Sequence, residues 1–169
     1  MFIAILQHTP IWVWGLLAAL IAFGLSQARD REVTLSRATI LPLVLIALSL
    51  GGVLSAFGHL SVALGGWAAG AGVALTLGRQ FVAPREASWS AQAGLLHVPG
   101  SWLPLVLIVG LFCIKYFAGV SLAMNPSLAS DATFAGLCSL AYGSFSGLFL
   151  ARAMALRSLA TRNATMSAA

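Results

Sequence analysis

Long apolar runs alternate along this chain with short polar breaks, and the runs have the length of membrane crossings. From Ile11 to Ala28 no residue is charged, and Arg29-Asp30-Arg31-Glu32 stops the run. Thr9-Pro10 ahead of it reads as a helix start, a hydroxyl cap followed by proline at the first helical position. Ala38 to Gly78 carries no charge over 41 residues, too long for one crossing and right for two of about 20 residues each. The break between them falls near Phe57-Gly58-His59, where glycine permits a tight turn. A fourth run extends from Ser101 to Met124 and stops before Asn125-Pro126. A fifth extends from Ala132 to Ala151, and its helix is predicted to continue through Arg152–Leu159. The pattern predicts an all-α, polytopic membrane protein, one transmembrane domain over residues 1–169. Its five spans fall at about 10–28, 38–57, 60–79, 101–124 and 131–152. In the 80–100 loop, Ala87-Ser88-Trp89-Ser90 and Leu95-Leu96-His97-Val98 flank a polar and small segment and predict a short hairpin.

Composition removes the soluble alternatives. Apolar residues make up 60% of the chain and charged residues 8%, against roughly 45–50% and about 25% in ordinary globular proteins. A domain of 169 residues cannot hide that much apolar surface from water, so the apolar solvent is lipid. The net charge of +5 would suggest nucleic acid in a soluble chain. Here the basic residues sit in small groups between apolar runs with no basic stripe, and no nucleic-acid partner is expected. Cys113 and Cys138 fall inside apolar runs and read as small buried hydrophobes.

The small basic groups set the orientation. With five spans, the 28–37 loop, the 79–100 loop and the C-terminal tail share one side and hold all eight arginines. The N-terminal segment, the Gly58-His59 turn and the 125–131 loop hold no Lys or Arg. The positive-inside rule then places the N-terminus outside and the C-terminus in the cytoplasm. Trp12, Trp14 and Trp102 near span ends fit an interfacial aromatic belt.

Two spans open alike. Thr39-Ile40-Leu41-Pro42-Leu43-Val44-Leu45-Ile46 matches Ser101-Trp102-Leu103-Pro104-Leu105-Val106-Leu107-Ile108 over six consecutive identities, with a hydroxyl three residues before each proline. That spacing reads as a first helical turn, where the missing N–H costs nothing. The pattern is compatible with a parallel duplication of a helical hairpin, and equally with the compositional likeness of apolar helices. Gly66 with Gly70, and Gly143 with Gly147, form small-xxx-small patterns on the third and fifth spans. Such residues let helix backbones approach in lipid, either within one chain or across a homo-oligomer seam.

Chemistry is sparse. Lys115 is the one charged residue placed inside a span, about 20 Å along its helix from the cytoplasmic end at 1.5 Å per residue. A charge at that depth is costly and marks a functional candidate by default. Two readings stand: an ammonium that snorkels to the outer interface, or a ligand or anion site. Asp131 is its nearest carboxylate candidate, with Tyr116 or Tyr142 as neutral alternatives. No Asp or Glu lies within a span, which argues against a proton-relay pump. His8 and His59 share the outer side and are weak candidates for a haem or metal. No catalytic motif is present: no Gly-x-Ser-x-Gly elbow, no His-Glu-x-x-His and no Cys-x-x-Cys. An enzyme is not expected, and no cofactor is assigned.

The chain resembles a family of small, uncharacterised bacterial multi-pass inner-membrane proteins. The resemblance rests on His8-Thr9-Pro10-Ile11-Trp12-Val13-Trp14 and Val98-Pro99-Gly100-Ser101-Trp102-Leu103-Pro104. Lys115-Tyr116, and Tyr142-Gly143 with Ser146-Gly147-Leu148-Phe149 and Arg152, add to it. It implies a protein of the bacterial cytoplasmic membrane and carries no activity over, while making His8, Lys115 and Tyr116 candidates for a shared role. The function expected is a non-enzymatic membrane component, either a small transport or channel-like unit or an accessory subunit. Its partners would be the lipid bilayer and a second copy or a heteromeric membrane protein. The alternative is a haem-, metal- or quinone-binding redox protein using the outer-face histidines.

Overall fold

The computed structural model describes residues 9–58, 60–82, 87–90 and 94–166, with side chains up to residue 161. The described residues form five helices and one small sheet. In chain order these are α1 (Ile11–Ser26), β1 (Arg31–Val33), α2 (Leu35–Phe57), α3 (Ser61–Val82), β2 (Ser88–Ser90), β3 (Leu95–Val98), α4 (Leu103–Met124) and α5 (Ala132–Met166). A single 3-10 turn, Pro126–Ser130, joins α4 to α5. Helices α2 to α5 are each long and apolar enough to cross a membrane. Helix α1 has 16 residues, about 24 Å of helix against a hydrocarbon core of about 30 Å.

Helix α5 is the centre of the bundle: half of its apolar stretch is buried, against 17% for α2 and for α3. Large apolar side chains such as Ile40, Val73, Leu77 and Phe117 face outward, as lipid-facing surfaces do. The closest packing joins α3 to α5 through small residues. A Cβ at Gly66 would stand 2.8 Å from the Gly136 carbonyl oxygen, and one at Gly70 would strike that of Leu140. From the other side, a Cβ at Gly143 would strike the Trp67 carbonyl and one at Gly147 that of Ala71. All four glycines of the two patterns are therefore used within the chain, where backbone-to-backbone approach gains dispersion contacts that lipid does not supply. Val53, Phe57, Ala63, Ala135, Cys138 and Tyr142 fill the core beside this seam. Helix α1 leans on α4, with Gly24 against Leu105.

Four details differ from the sequence expectations. Helix α2 starts upstream of residue 38, because Thr34 caps it by accepting from Arg37 N at 3.4 Å. Pro42 consequently lies inside α2 and not in its first turn, which leaves the Ala38 carbonyl without its helical donor. Pro104 does open α4, so the two matching segments occupy different helical positions. At the other end of α2, Gly58 has an ordinary φ of −62°. Glycine is needed there because a Cβ would strike the Leu54 carbonyl oxygen, not for left-handed freedom. Pro10 stands just ahead of α1, while the Thr9 hydroxyl lies 2.6 Å from that of Tyr116 and ties the start of α1 to α4.

The 80–100 loop holds the expected hairpin, with Gly94 at φ 62° in its turn. The structure adds a third strand. β1 pairs antiparallel with β3 (Arg31↔Val98, Glu32↔His97, Val33↔Leu96), and β2 pairs on its other edge (Ser88↔His97, Trp89↔Leu96, Ser90↔Leu95). A two-stranded hairpin is marginal alone, and the third strand together with Leu156 of α5 under Leu96 and Val98 stabilises it. Gly100 N donates to Asp30 Oδ1 at 2.7 Å and Ser101 N to the Gln27 carbonyl at 3.1 Å. The α1–α2 and α3–α4 connections therefore meet in one cap at one end of the bundle.

Candidate functional site

Under that cap, between α1, α2, α4 and α5, lies a half-open cleft of about 490 Å³. Its walls are apolar: Phe23, Leu41, Val44, Leu45, Ile108 and Phe149 contribute, and both prolines of the matching segments, Pro42 and Pro104, line it. Its polar lining consists of Gln27, Arg31, Arg37 and Arg152. No carboxylate is among the described residues that line it.

Each arginine is placed by a different element. Arg31 opens β1, whose burial alternates so that Arg31 and Val33 turn inward and Glu32 outward. Its Nη2 donates to Gln27 Oε1 at 2.7 Å, while its Nε is fully enclosed and has no hydrogen-bond partner. Burial pushes this guanidinium down from its ordinary value. An arginine stays protonated at any physiological pH regardless, so the site carries a partly desolvated cation. Arg152 lies on α5 and is 8% exposed. Its Nη1 donates to the Val82 carbonyl at the end of α3, at 3.3 Å. The charge that bears on it is the like charge of Arg31. Arg37, in the first turn of α2, is exposed and stands at the rim. Of the described acids nearby, Asp30 accepts from Gly100 N and Glu32 points away. A buried and a half-buried like charge with no carboxylate beside them among the described residues are costly, and the apolar cleft has room for a counter-ion.

The residues singled out in the sequence lie elsewhere. Lys115 turns inward from the middle of α4: its Nζ donates to the Leu48 carbonyl of α2 at 3.5 Å and lies 5.5 Å from the centroid of the Tyr142 ring. A Cβ at Gly52 would stand 2.6 Å from this Nζ, so the ammonium occupies the space a side chain there would fill. Asp131 is not its partner. The Asp131 carboxylate caps α5, accepting from Phe134 N at 2.7 Å, where the positive end of the helix dipole holds it. Tyr116 is not its partner either, since its hydroxyl is shared with Thr9 and its ring stacks on Phe112. Tyr142, buried at 4% exposure, serves Lys115 through its face. His8 and His59 lie outside the described residues. Among the described residues no three His, Cys, Asp or Glu side chains gather into a metal site.

Sequence reading counted Arg31, Arg37 and Arg152 for orientation and missed them as a site. The signal available was the alternation Arg29-Asp30-Arg31-Glu32-Val33: read as a strand, it sends cation and anion to opposite faces.

No curated protein and no solved structure matches this chain. The model of a family of unknown function (DUF6622) matches residues 1–167, which is nearly the whole chain, and the protein belongs to that family.

Proposed function

We propose that the protein is a non-enzymatic, five-span component of a bacterial cytoplasmic membrane. Its working part is then the cleft, which takes up the anionic group of a membrane-resident amphiphile. In this reading α1 is the fifth, short span, the N-terminus is outside, and the arginine-bearing cap faces the cytoplasm. The segregation of arginines to the capped end supports that orientation. One observation supports the reading: a buried guanidinium, Arg152, and a half-buried one, Arg31, stand at the polar end of an apolar cleft with no carboxylate among its described lining residues. Arginine, glutamine and hydrocarbon walls bind an anion but supply no general base or nucleophile for turning one over. Of the two roles expected, a small ligand-handling or transport unit therefore has more support than a purely accessory subunit.

The test is native mass spectrometry of the full chain released from mild detergent, compared with Arg31→Gln/Arg152→Gln. Retention of a lipid-sized anionic adduct by the parent protein and its loss from the double variant is the expected result. A bare parent protein would overturn the cleft reading and leave the accessory role.

A further inference from the structure

We propose that the cleft is specific for the phosphate monoester head of a membrane lipid, held between Arg31 and Arg152 with its chain along the apolar wall. The inference rests on the reading of the cleft as an anion site and names the ligand class.

Charge is the first argument. Arg31 and Arg152 repel one another, and Arg37 stands at the rim. A carboxylate or a phosphodiester brings one negative charge and leaves one of the two guanidiniums, buried Arg152 or half-buried Arg31, uncompensated. A phosphate monoester carries about −1.5 to −2 near neutral pH and offsets both.

Geometry is the second. The planar guanidinium fork suits phosphoryl oxygens, and Arg31 presents such a fork at the cleft, oriented by the bond from its Nη2 to Gln27 Oε1. Arg152 is held by the Val82 carbonyl through Nη1, an anchor that fixes the side chain in place before any ligand arrives.

The third is shape and depth. The arginines lie where helices meet the cap, at the level of lipid head groups when the apolar helices cross the bilayer. Below them the walls run along α2 past Leu41 and Leu45 and along α4 to Ile108. The volume of about 490 Å³ accepts a head group and the upper part of a chain, while the remaining chain stays in the bilayer. A free phosphate would leave this apolar wall unused.

The experiment titrates the detergent-solubilised full chain with four probes, read by native mass spectrometry. They are a short-chain phosphatidate (monoester), the matching phosphatidylglycerol (diester), a fatty acid, and inorganic phosphate. The monoester lipid is expected to bind at least about tenfold tighter than the other three, and Arg31→Gln and Arg152→Gln each to lose about tenfold, the loss of one charge-assisted hydrogen bond. Arg157→Gln, an exposed arginine outside the cleft, is expected to bind like the parent. Because Arg152→Gln can also disturb the α3–α5 junction, Leu45→Trp provides a second route: it fills the apolar wall, leaves every arginine in place, and is expected to block the lipid. Equal binding of diester or fatty acid overturns the monoester assignment while the anion cleft stands. Equal binding of inorganic phosphate, or unchanged binding by Leu45→Trp, overturns the lipid. If no probe depends on Arg31 or Arg152, the cleft reading falls as well.

Discussion

Replacing Lys115 with methionine keeps the length of the side chain and removes its charge, and the structure sets the sign of the result. A lysine at the centre of a membrane-spanning helix costs about 2.5–3.5 kcal/mol to insert. Against that stand two contacts. The hydrogen bond to the Leu48 carbonyl is 3.5 Å long, at the outer edge of bonding distance, and contributes at most about 1 kcal/mol. The cation–π contact, 5.5 Å from the Tyr142 centroid, contributes about 1–2 kcal/mol when desolvated. The contacts fall short of the insertion cost by about 1 kcal/mol. Lys115→Met is therefore expected to leave stability unchanged or raise it by that amount. Reversible unfolding in mixed anionic and non-ionic micelles, followed by circular dichroism, measures the shift. A loss of more than about 2 kcal/mol, the range of broken buried networks, would refute the reasoning. It would mean that the ammonium has an anionic partner stronger than Leu48 and Tyr142, and Lys115 would then be a ligand site.

The glycine seam makes a paired prediction in the same assay. Gly143→Ala drives a Cβ into the Trp67 carbonyl and should cost about 1–3 kcal/mol as α3 and α5 separate. Gly72→Ala meets nothing within 4 Å and should be neutral or gain up to about 1 kcal/mol from helix propensity. Equal effects at the two positions would show that the seam is not at Gly143. For orientation, Ser88→Cys on β2 and Ser127→Cys in the 3-10 turn, each in a background lacking Cys113 and Cys138, should label from opposite faces. An impermeant maleimide applied to intact cells should reach residue 127 and not residue 88. Asp30→Ala removes the acceptor of Gly100 N, so amide exchange in β3 should accelerate while exchange in α5 stays unchanged.

How much of this was visible in the chain depended on the range of the interactions. Helices α2 to α5 were legible because each holds an apolar run of membrane length, interrupted by a charge only at Lys115, and the four-residue glycine spacing announces close helix approach by itself. The β2–β3 hairpin was legible from local alternation. Strand β1 was not: its alternation covers only a few residues inside a charged stop, and their partner lies far along the chain, at Leu96–Val98. The start of α2 was misjudged because Thr39, three residues before Pro42, looked like the first turn while Thr34 holds the cap. The cleft was invisible for a related reason. It needs β1 to turn Arg31 inward and α5 to carry Arg152 beneath the sheet, and neither follows from nearby residues. Lys115 was recognised as out of place, but its partner is a backbone carbonyl, which has no sequence signature.

The pairing of β1 with β3 also decides the sign of the charge in the cleft. Side chains alternate along a strand, so a slip of one residue exchanges its faces. In the observed register Arg31 and Val33 turn inward. One residue out of register, Glu32 would take the inward position beside Arg152. Glu32 and Arg152 would then neutralise each other, and Arg37 at the rim would be the cleft's one remaining uncompensated charge among its described lining residues. Inserting a single residue after Val33 therefore substitutes no arginine and no apolar wall residue, yet it can replace the inward-facing Arg31 with an internal Glu32–Arg152 salt bridge.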